Sequence, residues 1–211
     1  MTEELGKIEK PSVEEFKEGR KLYFIPLIYR GEDSPDEYII KFNKYWEQVE
    51  KQIAELEAKL GAVKRIYHEL VPAVGDDGIK AIEELCDKSC KIVRECLERG
   101  AQLEAAEGTD ILTEFMDWSR CLMIGLQNPK VINQVYESYL EATKKRNEYI
   151  ITRINETLQK NETGILIMRE NHQLQFPTDI QIIYVAPPAL DEIKRWLRDR
   201  ENEAEQPESN E

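Results

Sequence analysis

Apolar residues along this chain follow two rhythms. Four short runs, Lys21 to Tyr29 (KLYFIPLIY), Val63 to Val71, Gly164 to Met168 (GILIM) and Ile180 to Val185 (IQIIYV), are rich in β-branched and aromatic residues and bounded by turn formers. Runs of that length and composition predict buried strands. Pro26 has no N–H to give a ladder, so it predicts an edge position or a bulge for the first strand. Elsewhere the apolar positions fall three and four apart, the period of a helix with one buried face.

The first such stretch opens on Ser34-Pro35-Asp36-Glu37, which supplies an N-cap, a first-turn proline and a capping-box acid, and closes at Leu60 before Gly61. Its stripe is Ile39, Phe42, Trp46, Val49, Ile53, Leu56 and Leu60. Such a stripe serves either a helix docked within the chain or a homodimer through those seven residues. After a turn at Gly75 to Gly78, a second helix is expected from about Ile79 to Leu97, ending at Arg99-Gly100. Thr109 is placed to cap a third running to about Leu126, and Asn128-Pro129 to start a long fourth reaching about Lys160. Pro187-Pro188 ends the last strand, and Leu190, Ile193, Trp196 and Leu197 mark a final amphipathic helix.

Strand, helix and strand in succession predict a parallel pair with a right-handed crossover. The expected fold is therefore α/β and helix-rich, with a small, mainly parallel sheet of about four strands flanked by long helices. Residues 12–200 are expected to form one domain, with a helical insertion at about 76–160 and flexible termini at 1–11 and 201–211. The second of these termini carries five Glu and no base.

Composition narrows the partners. The formal net charge of −13 argues against direct nucleic-acid binding, which rests on clustered Lys and Arg. No stretch approaches the roughly 18 to 20 apolar residues that span a bilayer, and the first residues lack a signal-peptide pattern. A cytoplasmic protein with no membrane partner is expected. In that compartment Cys86, Cys90, Cys96 and Cys121 are expected as free thiols, although Cys86 and Cys90 share a helical face and permit a metal reading. Trp46, Trp118 and Trp196 sit on predicted helix faces and are expected as core anchors.

The two histidines of the chain come just where predicted strands end, His68-Glu69 after VKRIY and Glu170 and His172 after GILIM. Ligands of parallel sheets bind outside the carboxyl ends of the strands. Glu69, Glu170, His68 and His172 thus become candidates for acid–base work, and His68, Glu69 and His172 for a divalent metal. Solvated polar residues at the mouth of a sheet give the same pattern. Arg146 is a sharper anomaly, because it falls on the apolar stripe of Val135, Tyr139, Ala142, Ile150 and Ile154. A buried guanidinium needs a carboxylate, and Glu69 and Glu170 are the expected partners. Asn147 and Glu148 follow at once as supporting candidates.

In this order of motifs the chain resembles the TraB/PrgY-like family, related at the fold level to erythromycin esterases and ChaN-type haem-binding proteins. Glu69 matches the Glu that ends the family's second strand, Arg146-Asn147 its helical Arg-Asn, and His172 its late histidine. The resemblance covers roughly residues 20–185 and implies a hydrolase-type or ligand-binding site, with a divalent metal or haem as possible cofactors. It departs at the first motif, Gly-x-x-His, where this chain reads Arg30-Gly31-Glu32-Asp33. The stretch GILIMRENHQLQFPTDIQIIYV also resembles the last domain of release-factor-like ribosome-associated proteins, which implies a non-catalytic protein-interaction module.

Overall fold

The apolar runs form strands close to where the sequence puts them. In order, the elements are β1 (Arg20–Pro26), α1 (Asp36–Leu60), β2 (Val63–His68), α2 (Gly75–Leu85), α3 (Asp87–Glu98), β3 (Gln102–Glu104), α4 (Thr109–Met123), α5 (Pro129–Thr157), β4 (Thr163–Met168), β5 (Ile180–Tyr184) and α6 (Pro188–Glu205). The structure is a computed structural model and describes residues 18–170 and 172–205. The expected flexible termini therefore lie largely outside the described residues. Of the acidic tail, residues 201–205 continue α6 as helix.

The sheet is parallel at every pairing, with strand order β3-β2-β4-β1-β5. The chain steps one way across it from β1 to β2 to β3, then reverses from β3 to β4 to β5. Right-handed crossovers put connections of opposite direction on opposite faces, and the core divides that way. On one face, Tyr23, Ile25, Ile66, Ile165 and Ile167 pack with Phe42, Trp46, Val49 and Ile53 of α1, with α2 and α3, and with Ile193 of α6. On the other, Leu22, Phe24, Tyr67, Leu166 and Met168 pack with Ile150, Ile154 and Leu158. The β4–β5 connection has no helix among its described residues, yet its Leu174 and Phe176 pack on this second cluster, the side the reversal requires.

Several expectations change. The sheet has five strands; β3 is only three residues long, too short for its pattern to show, and it interrupts the expected helical insertion. Strand β1 lies inside the sheet, between β4 and β5, so Pro26 marks no edge. Proline is tolerated because pairing with β5 ends at Phe24, while Leu27 donates to Met168 on the β4 side, which leaves the N of Pro26 facing beyond the end of β5. The side chain of Ser34 does not cap α1: its Oγ accepts the N–H of Gly31 at 2.9 Å, and the helix starts after Pro35. Nor does Thr109 cap α4, which begins after Gly108. Asn128 does cap α5, accepting from Lys130 N at 2.9 Å and Val131 N at 3.3 Å.

Two further differences bear on function. The expected helix 79–97 begins earlier, at Gly75, and breaks at Cys86, whose extended backbone (φ −161°, ψ 106°) opens α3 afresh. That break places Ser89 in a first turn, where its hydroxyl meets the His68 ring. Much of the α1 stripe faces the interior: Phe42, Trp46, Val49 and Ile53 are buried against the sheet, and Leu56 and Leu60 pack on the same cluster. Ile39, Leu56 and Leu60 of the same stripe remain partly exposed.

Candidate functional site

Because side chains alternate across a strand, His68 and Glu69 leave the end of β2 toward opposite faces. His68 turns to the α3 side and is fully buried. Its Nδ1 lies 2.8 Å from the Glu69 carbonyl oxygen and its Nε2 lies 3.0 Å from Ser89 Oγ. A carbonyl can only accept, so Nδ1 carries the proton and Nε2 is the bare nitrogen, facing a Ser89 hydroxyl whose single proton is shared with the Cys86 carbonyl oxygen 3.0 Å away. Burial pushes its pKa down to about 4, and the ring is neutral at pH 7. His68 is thus a sealed structural group, and the metal set His68, Glu69 and His172 is not brought together. Among the described residues no group of three or more His, Cys, Asp or Glu side chains is gathered to hold a metal. Cys86 and Cys90 are both buried as free thiols.

Glu69 points the other way, into the ionic cluster that Arg146 was expected to need. Arg146 Nη2 donates to Glu69 Oε1 at 3.2 Å. Its Nε donates to Glu107 Oε2 at 2.9 Å, and Nη2 also donates to Glu107 Oε1. Glu69 accepts on its far side from the backbone N–H of Arg169 at 2.9 Å and from Arg169 Nη2 at 2.8 Å. The cluster therefore reads Glu107, Arg146, Glu69, Arg169, with the charges alternating. The first three side chains are at most 4% exposed, whereas that of Arg169 is 48% exposed and opens outward.

The environment favours the charged forms of Glu69, Arg146 and Arg169. Burial raises the Glu69 pKa, but hydrogen bonds from Arg169 and the charges of Arg169 and Arg146 outweigh it and keep the carboxyl below its ordinary value. Burial likewise works against the Arg146 cation, and Glu107 and then Glu69 more than restore it. The Phe115 ring centroid lies 4.6 Å from the Arg146 guanidinium carbon, a cation–π contact that covers the remaining side. Leu70 adopts φ 64° and donates its N–H to Glu107 Oε1 at 3.0 Å. A left-handed leucine beside the cluster is local strain of the kind found at functional sites.

A cavity of about 300 Å³ opens on this cluster, lined by Glu69, Arg146, Asn147, Arg169, His172 and Gln173 at its polar end and by Phe115, Tyr139, Leu140, Thr143 and Met168 around them. It sits where the connection leaving β2 and the connection leaving β4 take opposite faces, the switch point at which open α/β sheets bind ligands. His172 is half-buried there, its ring 4.6 Å from that of Phe24. Its Nδ1 accepts the N–H of Leu174 at 3.2 Å, so the neutral ring carries its proton on Nε2. Burial lowers its pKa, against the opposing pull of Glu69 and Glu170. Tyr29, just past β1, has a buried hydroxyl with no hydrogen-bond partner among the described residues. Burial and the Glu69 charge keep that phenol protonated.

Of the other candidates, Glu170 does not reach Arg146. It accepts from Lys194 Nζ at 2.7 Å and from the Tyr184 hydroxyl, on the β5 and α6 side. Glu148 is exposed and pairs with Lys144 at 3.9 Å along the helix. Only the first two residues of the RNE triplet face the cavity. Arg30, where the TraB-like pattern has its histidine region, lies against Asp87 and over Phe42, away from this site. Glu107 and Arg169 were not foreseen. Arg169 follows the GILIM strand directly and could have been read from its place; Glu107 follows a strand too short to recognise.

Fold and site together define a doubly wound parallel α/β protein with an ionic crevice at its strand ends. No protein-family model, curated protein or solved structure matches the chain.

Proposed function

We propose that this chain is a TraB-like α/β protein that binds a small ligand rich in hydrogen-bond acceptors, such as a carboxylate or ester, in the strand-end cavity. The observation that carries the reading is convergence: Glu69, Arg146-Asn147 and His172, separated by a hundred residues of chain, line one cavity. Donors dominate its accessible edge. Arg169 is half-exposed, His172 offers Nε2–H, and Asn147 and Gln173 add amide hydrogens. Glu69 is already saturated by donors, so it orients the two arginines and is not free to take a proton.

A hydrolase is the second reading, favoured by the place of His172 beside Arg169, where a developing oxyanion would find both imidazole and guanidinium. The two readings separate in one assay series. Thermal denaturation with added carboxylates or esters should show stabilisation that grows with ligand concentration, as binding to the native state requires. Turnover of a p-nitrophenyl ester that falls at least about 100-fold in His172→Ala supports hydrolysis. Neither a thermal shift nor turnover above buffer would remove both readings and favour the interaction module.

A further inference from the structure

Helix α5 precedes β4 and runs against the strand direction, so its amino-terminal half lies beyond the carboxyl edge of the sheet. It passes the strand ends at Arg146 and extends roughly 25 Å further, at 1.5 Å per residue. One face of the helix can be followed along its whole length. Ile154 and Ile150 pack on the sheet, Asn147 and Thr143 line the cavity, and Leu140, Tyr136 and Ile132 follow at spacings of four. Ile132 and Ile150 stand about five turns apart and so point the same way. These last three are 47%, 52% and 36% exposed although they continue the face that is core lower down. Leu140 belongs to both regions, since it also lines the cavity.

Charge follows the same division. Residues 118–136 contain no Asp or Glu, in a chain that has 42 of them. An apolar wall, with Glu137 and Glu141 on the neighbouring face of the helix and no acid from there back to Trp118, thus rises from the donor-rich floor at Arg169, Asn147 and His172.

From this continuity we infer that the ligand is an amphiphile: an acyl head, carboxylate or ester, sits among Arg169, Asn147 and His172, and a hydrocarbon tail lies along Leu140, Tyr136 and Ile132. The inference rests on the ligand-binding reading of the same cavity and names its substrate class. From Thr143 to Ile132 the wall offers about 16 Å of helix, enough for a medium-length chain and far more than acetate can use.

Calorimetric titration with sodium dodecanoate below its micelle concentration, and with acetate, tests it without turnover. Dodecanoate is expected to bind one to one and at least about tenfold more tightly than acetate. The variant Ile132→Asn/Tyr136→Asn is expected to lose that preference, while its circular dichroism stays that of the parent. Equal affinity for the two acids, or a preference that survives the double substitution, overturns the inference. Acetate binding with no chain-length effect would leave the proposed ligand site standing and remove only the tail. A dimeric parent that the double variant renders monomeric, with dodecanoate binding intact, would reassign the stripe to a contact between copies and overturn the inference too.

Discussion

Arg146 governs the site at the residue scale. Its guanidinium is enclosed by Glu107, Glu69 and the Phe115 ring. Removing one partner of a buried ionic group typically costs about 3 to 5 kcal/mol, because the charges left behind have neither water nor a counter-ion. Arg146→Ala should therefore lower the unfolding free energy by about that amount in urea titration. Here it removes the ion-pair partner of Glu107, whereas Glu69 keeps Arg169, so combining it with Glu107→Gln should cost less than the sum of the two single changes. A loss below about 0.5 kcal/mol, the range of ordinary surface substitutions, would contradict the burial described. That Arg146 must be paired was legible in the sequence, because a charge on an apolar stripe needs compensation. Which acid pairs with it was only half legible: Glu69 is a partner, Glu107 is the unforeseen one, and Glu170 turns to Lys194. Sequence position fixes which strand end a residue leaves, but the face it leaves toward depends on where the strand stops.

At the scale of elements, strands and long helices were read well where a period runs over many residues, as in α1 and α5. Short or interrupted elements escaped. β3 has too few residues for alternation to show, and the break at Cys86 is not a glycine or proline break but an extended cysteine followed by a new amino-terminal turn. Gly75 to Gly78 read as a turn, yet it is the start of α2, and Gly78 is there for space. A Cβ at that position would come within 2.6 Å of the Ala73 carbonyl oxygen and 2.8 Å of Leu103 Cδ2. The first contact is with backbone and cannot yield cheaply. Gly78→Ala should lower stability by about 1 to 3 kcal/mol, the range for overpacking, despite the better helix propensity of alanine. An unchanged urea midpoint would show that α2 does not pack as closely on the β2–α2 loop and β3 as described.

For the whole molecule, the reversal of strand order decides where chemistry can happen. It sends the connections after β2 and β4 to opposite faces and leaves the crevice between them, into which Glu69, Arg169 and His172 are delivered. Both histidines lie near strand ends, yet they differ in every property that matters: His68 is sealed with its proton on Nδ1, and His172 is at the cavity wall with its proton on Nε2. The chain has no other histidine. A protein labelled with ¹⁵N at histidine alone therefore reports the site and an internal control in one spectrum. At pH 7 two neutral rings of opposite tautomer are predicted, and titration with a carboxylate should move the His172 nitrogens while leaving those of His68 in place. Two rings of the same tautomer, or a His172 signal that no carboxylate or ester disturbs, would contradict the account of the cavity as a ligand site.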